Sequence, residues 1–577
     1  VVTDTVADGP VTRVRAKPIF RWFAREGPLV VFAGLALSAI FNWPIVRHPK
    51  STVLGGIGDP NLQAWELAWQ HHFLTAGGDF WSANMFYPAK DTFAFTDSLL
   101  GYFPLALFGD GQYAAILRYN IAYLLAFALA FVGCYLLARQ LGGTWQAAAL
   151  AGVVFAWAPW RLAHNSHLNV LSVGGIALAL FALARGHGYS FRSGLRPERA
   201  RPWWAFAGWL LAAWQVCLGF AVGIPFVYVM GLVGLVIAVV NGVRRRQLGR
   251  RVNLANGAGM VVFLGVTYLL TIPYRRVVET YHFGRSAHEV EVMSPPPQGL
   301  LTAHGQSWLW QGTVFDDLTR IPEPAAGEKL LFPGLVVLVL ALAGLVVSAW
   351  PVRVRIGLAA GAAVATVLAL GTNFFGGGFT YLLLWNNLPG WEALRTPGRL
   401  ILWTILLLAL LAAGAVTRLS QVLAERGVRK RLAAFVLVLP VLGALLEGVP
   451  DQSHATPPGI PPGLRQVFAQ TRDPILILPI DTFGEFNYLL WSTEGFPRIA
   501  NGNSGNFPPQ YEEIVAASQS FPDAHSIAVL EKYGIRKVAV LKVAAASSPY
   551  AEVLRRPVDR QRLTRDESAD VVVFTLT

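Results

Sequence analysis

The sequence predicts a mainly α, polytopic membrane protein: a bundle of about eleven transmembrane helices followed by a small α/β domain outside the membrane. Three observations carry this. Apolar runs of about 17–22 residues recur along most of the chain. Of its 577 residues, 54% are hydrophobic and only 14% charged, with a mean hydropathy of +0.46. The formal charge of +13 is gathered into short basic segments between apolar runs, at 13–25, 185–201, 244–251 and 418–431. That placement is the positive-inside pattern of a membrane protein, and it excludes nucleic acid as the partner of the basic charge. Cys134 and Cys217 both fall inside apolar runs, so neither a disulfide framework nor a cysteine metal site is indicated.

In chain order, residues 1–27 are basic and polar and form a cytoplasmic segment. Span 1, at about 28–46, lacks a small-residue cleavage site after it and reads as a retained anchor. Residues 47–98 are the first outer loop. Span 2 follows at about 112–138, with room for a re-entrant segment at 98–117. Spans 3 and 4 (144–160, 168–184), 5 and 6 (203–220, 222–242) and 7 (253–272) alternate with the basic inner loops. An outer loop at 273–329 leads to spans 8 and 9 (331–350, 355–371), and another at 371–399 leads to spans 10 and 11 (400–417, 432–447). The transmembrane domain thus covers 28–447, and the inner segments are all net basic. Residues 448–464 read as a proline-rich linker. In 465–577, the runs DPILILPI, HSIAVLEKYGIRKVAVLK and ADVVVFTLT read as strand, helix–strand and strand of an extracytoplasmic α/β domain.

The first outer loop holds the sharpest chemical signal, GGIGDPNLQAWELAWQHHFL at 55–74. Asp59–Pro60 is a helix start, with the aspartate expected to cap free N–H groups. At 100° per residue Asp59, Gln63, Glu66 and Gln70 share one face, and Leu62, Trp65, Trp69, His72 and Phe73 share the other. Tryptophans on such a face are expected among lipid headgroups, holding the helix at the membrane surface. A carboxylate there serves as general base toward an acceptor hydroxyl, with Asp59 first in rank and Glu66 and Asp97 as further acids. The plain alternatives are helix capping for Asp59 and Asp97 and a solvated face for Glu66.

His71 and His72 read as an interfacial pair. His164 and His167, with Arg161, lie where spans 3 and 4 meet, and their i, i+3 spacing puts both on one face of a helix, suited to a phosphate or a metal. Outer-loop arginines run against the positive-inside bias. Arg275, Arg276 and Arg285 after span 7, and Arg395 and Arg399 before span 10, fit the phosphate of a lipid, guanidinium being the bidentate phosphate ligand; their plain reading is headgroup anchoring. The loop IANGNSGNFPPQYEE (499–513) reads either as a connector or as a sugar-binding surface. No GxxxxGK[ST], HExxH, CxxC or GxSxG is present, which leaves nucleotide hydrolysis, zinc proteolysis and nucleophile-elbow chemistry without support.

The arrangement resembles the GT-C superfamily of integral-membrane glycosyltransferases. It is similar more specifically to a group of bacterial polytopic membrane proteins sharing GDPNLQAWELAWQHH, FYPAKDTFAFTDSLLGYFP, WRLAHNSHLN, EKLLFPG, LPGWEALRTPGR and YGIRKVAVLK. The resemblance implies a polyprenyl-phosphate-linked sugar donor, a cell-envelope glycan, lipid or protein acceptor, and a site in the bacterial inner membrane facing out; arginine far outnumbering lysine agrees with a bacterial source. It matches Asp59 to the first-loop catalytic acid and implies inverting transfer. The superfamily's adjacent acidic pair is here Asp-Pro, which leaves a divalent metal as an open possibility and no other cofactor indicated. The competing readings are a non-catalytic polysaccharide or lipid export and assembly protein, and a small-molecule transporter; scarce ionisable residues within the spans argue against transport.

Overall fold

The computed structural model describes residues 20–243, 248–559 and 561–577; for 20–25, 241 and 243 it describes the backbone alone. The cytoplasmic segment predicted for 1–27, and part of the basic loop at 244–251, lie outside these residues.

A helix stands at each predicted span. α1 (Phe20–Phe41) leads to the first-loop helix α2 (Asp59–Ala76), and then come α3 (Gly111–Gln140), α4 (Trp145–Trp157), α5 (Gly174–Gly186), α6 (Pro202–Val216), α7 (Phe220–Val243) and α8 (Arg250–Tyr281). Four more follow: α9 (Leu335–Val346), α10 (Val352–Ala369), α11 (Ile401–Glu425) and α12 (Lys430–Glu447). Six helices among the described residues are long and apolar enough to cross a membrane, and Glu26–Phe41 and Leu335–Val346 are shorter apolar ones. The chain is an integral membrane protein. The stretch 98–117 holds no further span: Leu100–Leu107 is a 3₁₀ segment of 8 residues, followed directly by α3.

Small residues let the central helices approach closely. A Cβ on Gly133 of α3 would stand 2.9 Å from the Gly174 carbonyl oxygen of α5, so glycine there sets the distance between the two helices. α7 and α8 lie at the periphery and turn Leu232, Leu235, Val261, Leu264 and Leu269 outward, the surface that lipid covers. α8 continues past Pro273 to Tyr281, so Arg275 and Arg276 ride on a helix where a loop was expected.

The segment after α12 is tied to the start of the chain. β1 (Val53–Leu54) pairs antiparallel with β2 (His454–Ala455). Gln452 Nε2 donates to the Phe41 carbonyl, Gln306 Nε2 to Ser453 Oγ, and Gln112 and Trp491 both donate to the Pro458 carbonyl. Proline-rich composition here marks an ordered strap: residues with fixed φ lose little entropy when pinned.

Beyond the strap lies a mixed four-stranded sheet. β3 (Ile475–Leu478) runs parallel to β4 (Lys537–Leu541), β6 (Val571–Leu576) is antiparallel to β4, and β5 (Leu563–Glu567) is the edge beside β6. Strand side chains alternate, and the two faces go to different cores. Leu476, Leu478, Val538, Val540 and Phe574 pack beneath the helices around Pro509–Ser518 and Ala524–Lys532. Ile475, Ile477, Ala539 and Val571 pack instead with Leu62, Trp65 and Trp69 of α2 and Phe86, Phe93 and Phe95 of the first loop. The first loop and the C-terminal sheet therefore share one hydrophobic core.

This corrects the expected placement of the tryptophan face. Trp65 is fully buried, its Nε1 donating to Asn84 Oδ1 at 3.0 Å, and Trp69 Nε1 donates to the Phe80 carbonyl. The indoles bind α2 to protein rather than to headgroups, because the C-terminal sheet and the first loop's aromatics cover that face. Amphipathicity signals that a face is covered without naming the cover.

Candidate active site

α2 begins one residue earlier than the Asp-Pro signature implies. Gly58 is the N-cap, Asp59 is the first helical residue, and no side chain caps the helix. The carboxylate of Asp59 is thereby released from capping, and its Oδ2 lies 3.1 Å from His167 Nε2. His167 follows the 3₁₀ turn Pro159–His164, so the two histidines do not share an α-helical face; their rings meet edge to face with centroids 5.5 Å apart. Arg161, 1% exposed, donates through Nη2 to the Leu171 carbonyl at 2.8 Å and lies over the Phe127 ring. It contacts neither histidine partner; it closes the segment 161–171 that presents both of them.

His164 is completely buried, and neither of its ring nitrogens has a hydrogen-bond partner among the described residues. Burial pushes its imidazolium down to about 3, with His167, Arg399 and Arg161 acting in the same direction against Glu328, so it is neutral and carries a free lone pair. Glu328 Oε2 stands 4.0 Å from His164 Nδ1. Glu328 also accepts a two-pronged bond from Arg399, Nε to Oε2 at 3.1 Å and Nη2 to Oε1 at 2.5 Å. Burial alone would raise the Glu328 carboxyl; the Arg399 guanidinium, through its charge and its paired bonds, holds the group well below the usual carboxylate range. Ligand atoms of His164, His167 and Glu328 all lie within 4.8 Å of one another. Two imidazoles and a carboxylate, one imidazole otherwise unpartnered in a dry interior, are a donor set that fits a divalent cation. Glu328 was not singled out from the sequence. Its signal was the motif EKLLFPG, whose glutamate and lysine precede an apolar run in an outer loop; Lys329 is spent on the Pro322 and Pro324 carbonyls, leaving Glu328 for the cluster.

The other acids sit beside this cluster in a supporting network. Asp97 accepts from the Phe220 backbone N–H at 2.7 Å and from Asn169 Nδ2 at 2.6 Å, so it anchors the start of α7 and does not cap the segment that follows it. Gln63 accepts the Leu168 N–H and donates to Asn169 Oδ1, fastening α2 to the histidine segment. Glu66 is 1% exposed, against the solvated-face alternative, and accepts from Thr96 Oγ1 at 2.7 Å. Burial raises its carboxyl well above the usual range, and negative charge on Asp97 and Asp59 adds to this. It is held neutral.

Of the five arginines, only Arg399 reaches the cluster. Arg285 and Arg395 converge on Glu289 Oε1, at 3.3 and 3.5 Å, so two guanidinium groups share one carboxylate. Arg275 pairs with Glu279 and Arg276 with Asp91, both pairs away from the histidines. His71 is also elsewhere: Nε2 meets Asp110 at 2.8 Å and Nδ1 the Ala106 carbonyl at 2.6 Å. These bonds join α2 to the start of α3.

The bundle with its first-loop helix packed under a C-terminal unit is similar to the mycobacterial arabinofuranosyltransferase AftD, with a TM-score of 0.53 at 16% identity over 96% of this chain and 40% of that one. The chain carries the GT-C fold. It spans 40% of the length of AftD. Other structures found with the GT-C fold are the oligosaccharyltransferase AglB from Archaeoglobus fulgidus (TM-score 0.44, 14% identity, 92% of this chain and 71% of that) and ArnT from Cupriavidus metallidurans (0.38, 16%, 96% and 98%). No protein-family model matches the chain, and no curated protein sequence does.

Proposed function

We propose that this GT-C chain is a membrane glycosyltransferase that moves a sugar from a polyprenyl-phosphate-linked donor to an acceptor hydroxyl at the extracytoplasmic face of a bacterial inner membrane. One observation carries the reading: Asp59, His164, His167, Glu328 and Arg399, from four separate segments, meet on the side of the bundle that bears the first loop. The basic segments at 185–201 and 418–431 lie at the opposite ends of the spans, which supports an extracytoplasmic cluster by the positive-inside rule.

Asp59 is the general base. The acceptor O–H proton passes to its carboxylate as the acceptor oxygen bonds to the anomeric carbon, and the bond from that carbon to the phosphate oxygen breaks with its electron pair leaving on the lipid phosphate. The configuration at that carbon inverts. His167, 3.1 Å from Asp59, fixes the carboxylate's direction. Charge develops on the departing phosphate, and Arg285 and Arg395, which share the single carboxylate of Glu289 outside the cluster, are the candidates to meet the lipid phosphate where the donor extends beyond it. Arg399 is committed to Glu328 and orients that carboxylate. A divalent cation held by His164, His167 and Glu328 would supply further positive charge to the leaving group.

The test is sugar transfer by the purified protein in nanodiscs, from a panel of polyprenyl-phosphate pentoses and hexoses. Transfer by the wild type, lost in Asp59→Asn, is expected; full activity in that variant would remove Asp59 as base. Zinc or manganese titration should show binding that His164→Ala weakens about 10–100-fold, and unchanged affinity would dismiss the cation.

A further inference from the structure

The helix α13 (Thr482–Trp491) in the C-terminal unit lies against the start of α2. A Cβ on Gly58 would stand 3.7 Å from the Phe486 ring, and Asn61 Nδ2 donates to Asn487 Oδ1 at 3.0 Å. Gly58 and Asn61 flank Asp59, so this face of α13 forms a wall beside the carboxylate. Phe483 is three residues before Phe486 and four before Asn487, on the same face and one turn further out. It is 66% exposed, whereas Tyr488 and Trp491 of the same helix are buried.

The surroundings of that exposed ring are polar. Asp481 Oδ1 accepts the backbone N–H groups of Phe483 and Gly484, and the residue is exposed. Asn503 donates to the Thr482 carbonyl, which lays the loop 501–507 against the first turn of α13. A flat apolar ring among a carboxylate and carboxamides matches a sugar, whose C–H face is apolar and whose rim is hydroxyl. It does not match an acyl chain, which needs continuous apolar surface, and the Asp481 charge repels an acidic chain.

We propose that Phe483 is the stacking platform for a neutral glycan acceptor, with the exposed Asp481 carboxylate accepting from a hydroxyl of the stacked residue, so that the next residue of the glycan presents its hydroxyl to Asp59. This rests on the transferase reading above and names the acceptor class. The test is saturation-transfer NMR on the full chain in nanodiscs with neutral gluco-, manno- and arabino-tetrasaccharides and with tetragalacturonate. At least one neutral oligosaccharide should bind, about tenfold more weakly to Phe483→Ala and unchanged to Phe483→Trp. Absence of binding by every neutral sugar, equal binding by Phe483→Ala, or preference for tetragalacturonate would each overturn the proposal. Phe483-dependent binding in a protein that transfers no sugar would defeat the transferase reading and leave the glycan platform standing.

Discussion

Asp59 gains its chemical freedom from a shift of one position. Had it stood at the N-cap, its oxygens would have been taken by backbone N–H groups; with Gly58 there, His167 is the partner. Loss of a positioned general base costs about 10²–10⁴ in rate, so Asp59→Asn should lower turnover by that factor with thermal stability unchanged. A second residue sets a pH response. Glu485 is buried among Asn501 and the Gly502 N–H, and burial pushes its carboxyl up to about 8, above an ordinary value of 4.5. A folded-state value above the unfolded one means the folded chain holds the extra proton between those limits. The stabilisation is complete below about 4.5 and is lost as the pH rises through about 8, at up to about 1.4 kcal/mol per pH unit. Scanning fluorimetry of the protein in detergent should show the melting temperature falling from pH 6 to 9, with a shallower fall in Glu485→Gln.

At the scale of elements, α2 decides how the pieces meet. Trp65→Ala should cost about 3–5 kcal/mol, the range for a large buried aromatic, measured by chemical denaturation in detergent; a tryptophan lying among headgroups would have cost little. The positions of the apolar helices were legible because hydropathy reports directly on the solvent each segment meets. Three of the four strands of the C-terminal sheet were legible for a similar reason: Ile475–Leu478 is apolar on both faces and is covered on both, whereas the polar edge strand Leu563–Glu567 carries no such signal. The partner of the α2 tryptophans was not legible, since a periodic apolar face carries no address. The histidine pair was correct as a pair and wrong as a helix face, because Pro159 opens a 3₁₀ turn there. Glu328 lay hidden because a glutamate 161 positions after His167 has no local spacing to reveal it. Arginines chosen for their location alone divided three ways once their carboxylate partners were in place.

For the whole molecule, the topology makes a prediction that needs no substrate. With the first loop outside, Phe375→Cys, at an 80% exposed tip between α10 and α11, should react with an impermeant maleimide added to intact cells. Arg426→Cys, between α11 and α12, should react only after the membrane is opened. The reverse pattern would turn the protein over and move the histidine cluster to the cytoplasm. The same architecture assembles the cluster from distant parts: the bundle supplies His164 and Arg399, the loops supply Asp59 and Glu328, and the C-terminal unit packs against Gly58.

The pairing of Val53–Leu54 with His454–Ala455, and the core that α2 shares with the sheet beyond it, set an order of assembly. As the ribosome delivers the chain, α2 emerges some 400 residues before the strands that cover Trp65 and Trp69. Until those strands are made, its apolar face has only the first loop's own aromatics against it, and the sheet that completes the core is missing. A truncated nascent chain would therefore carry every span and still lack a settled site, and a folding helper at the outer surface would find its binding face on α2 during that interval.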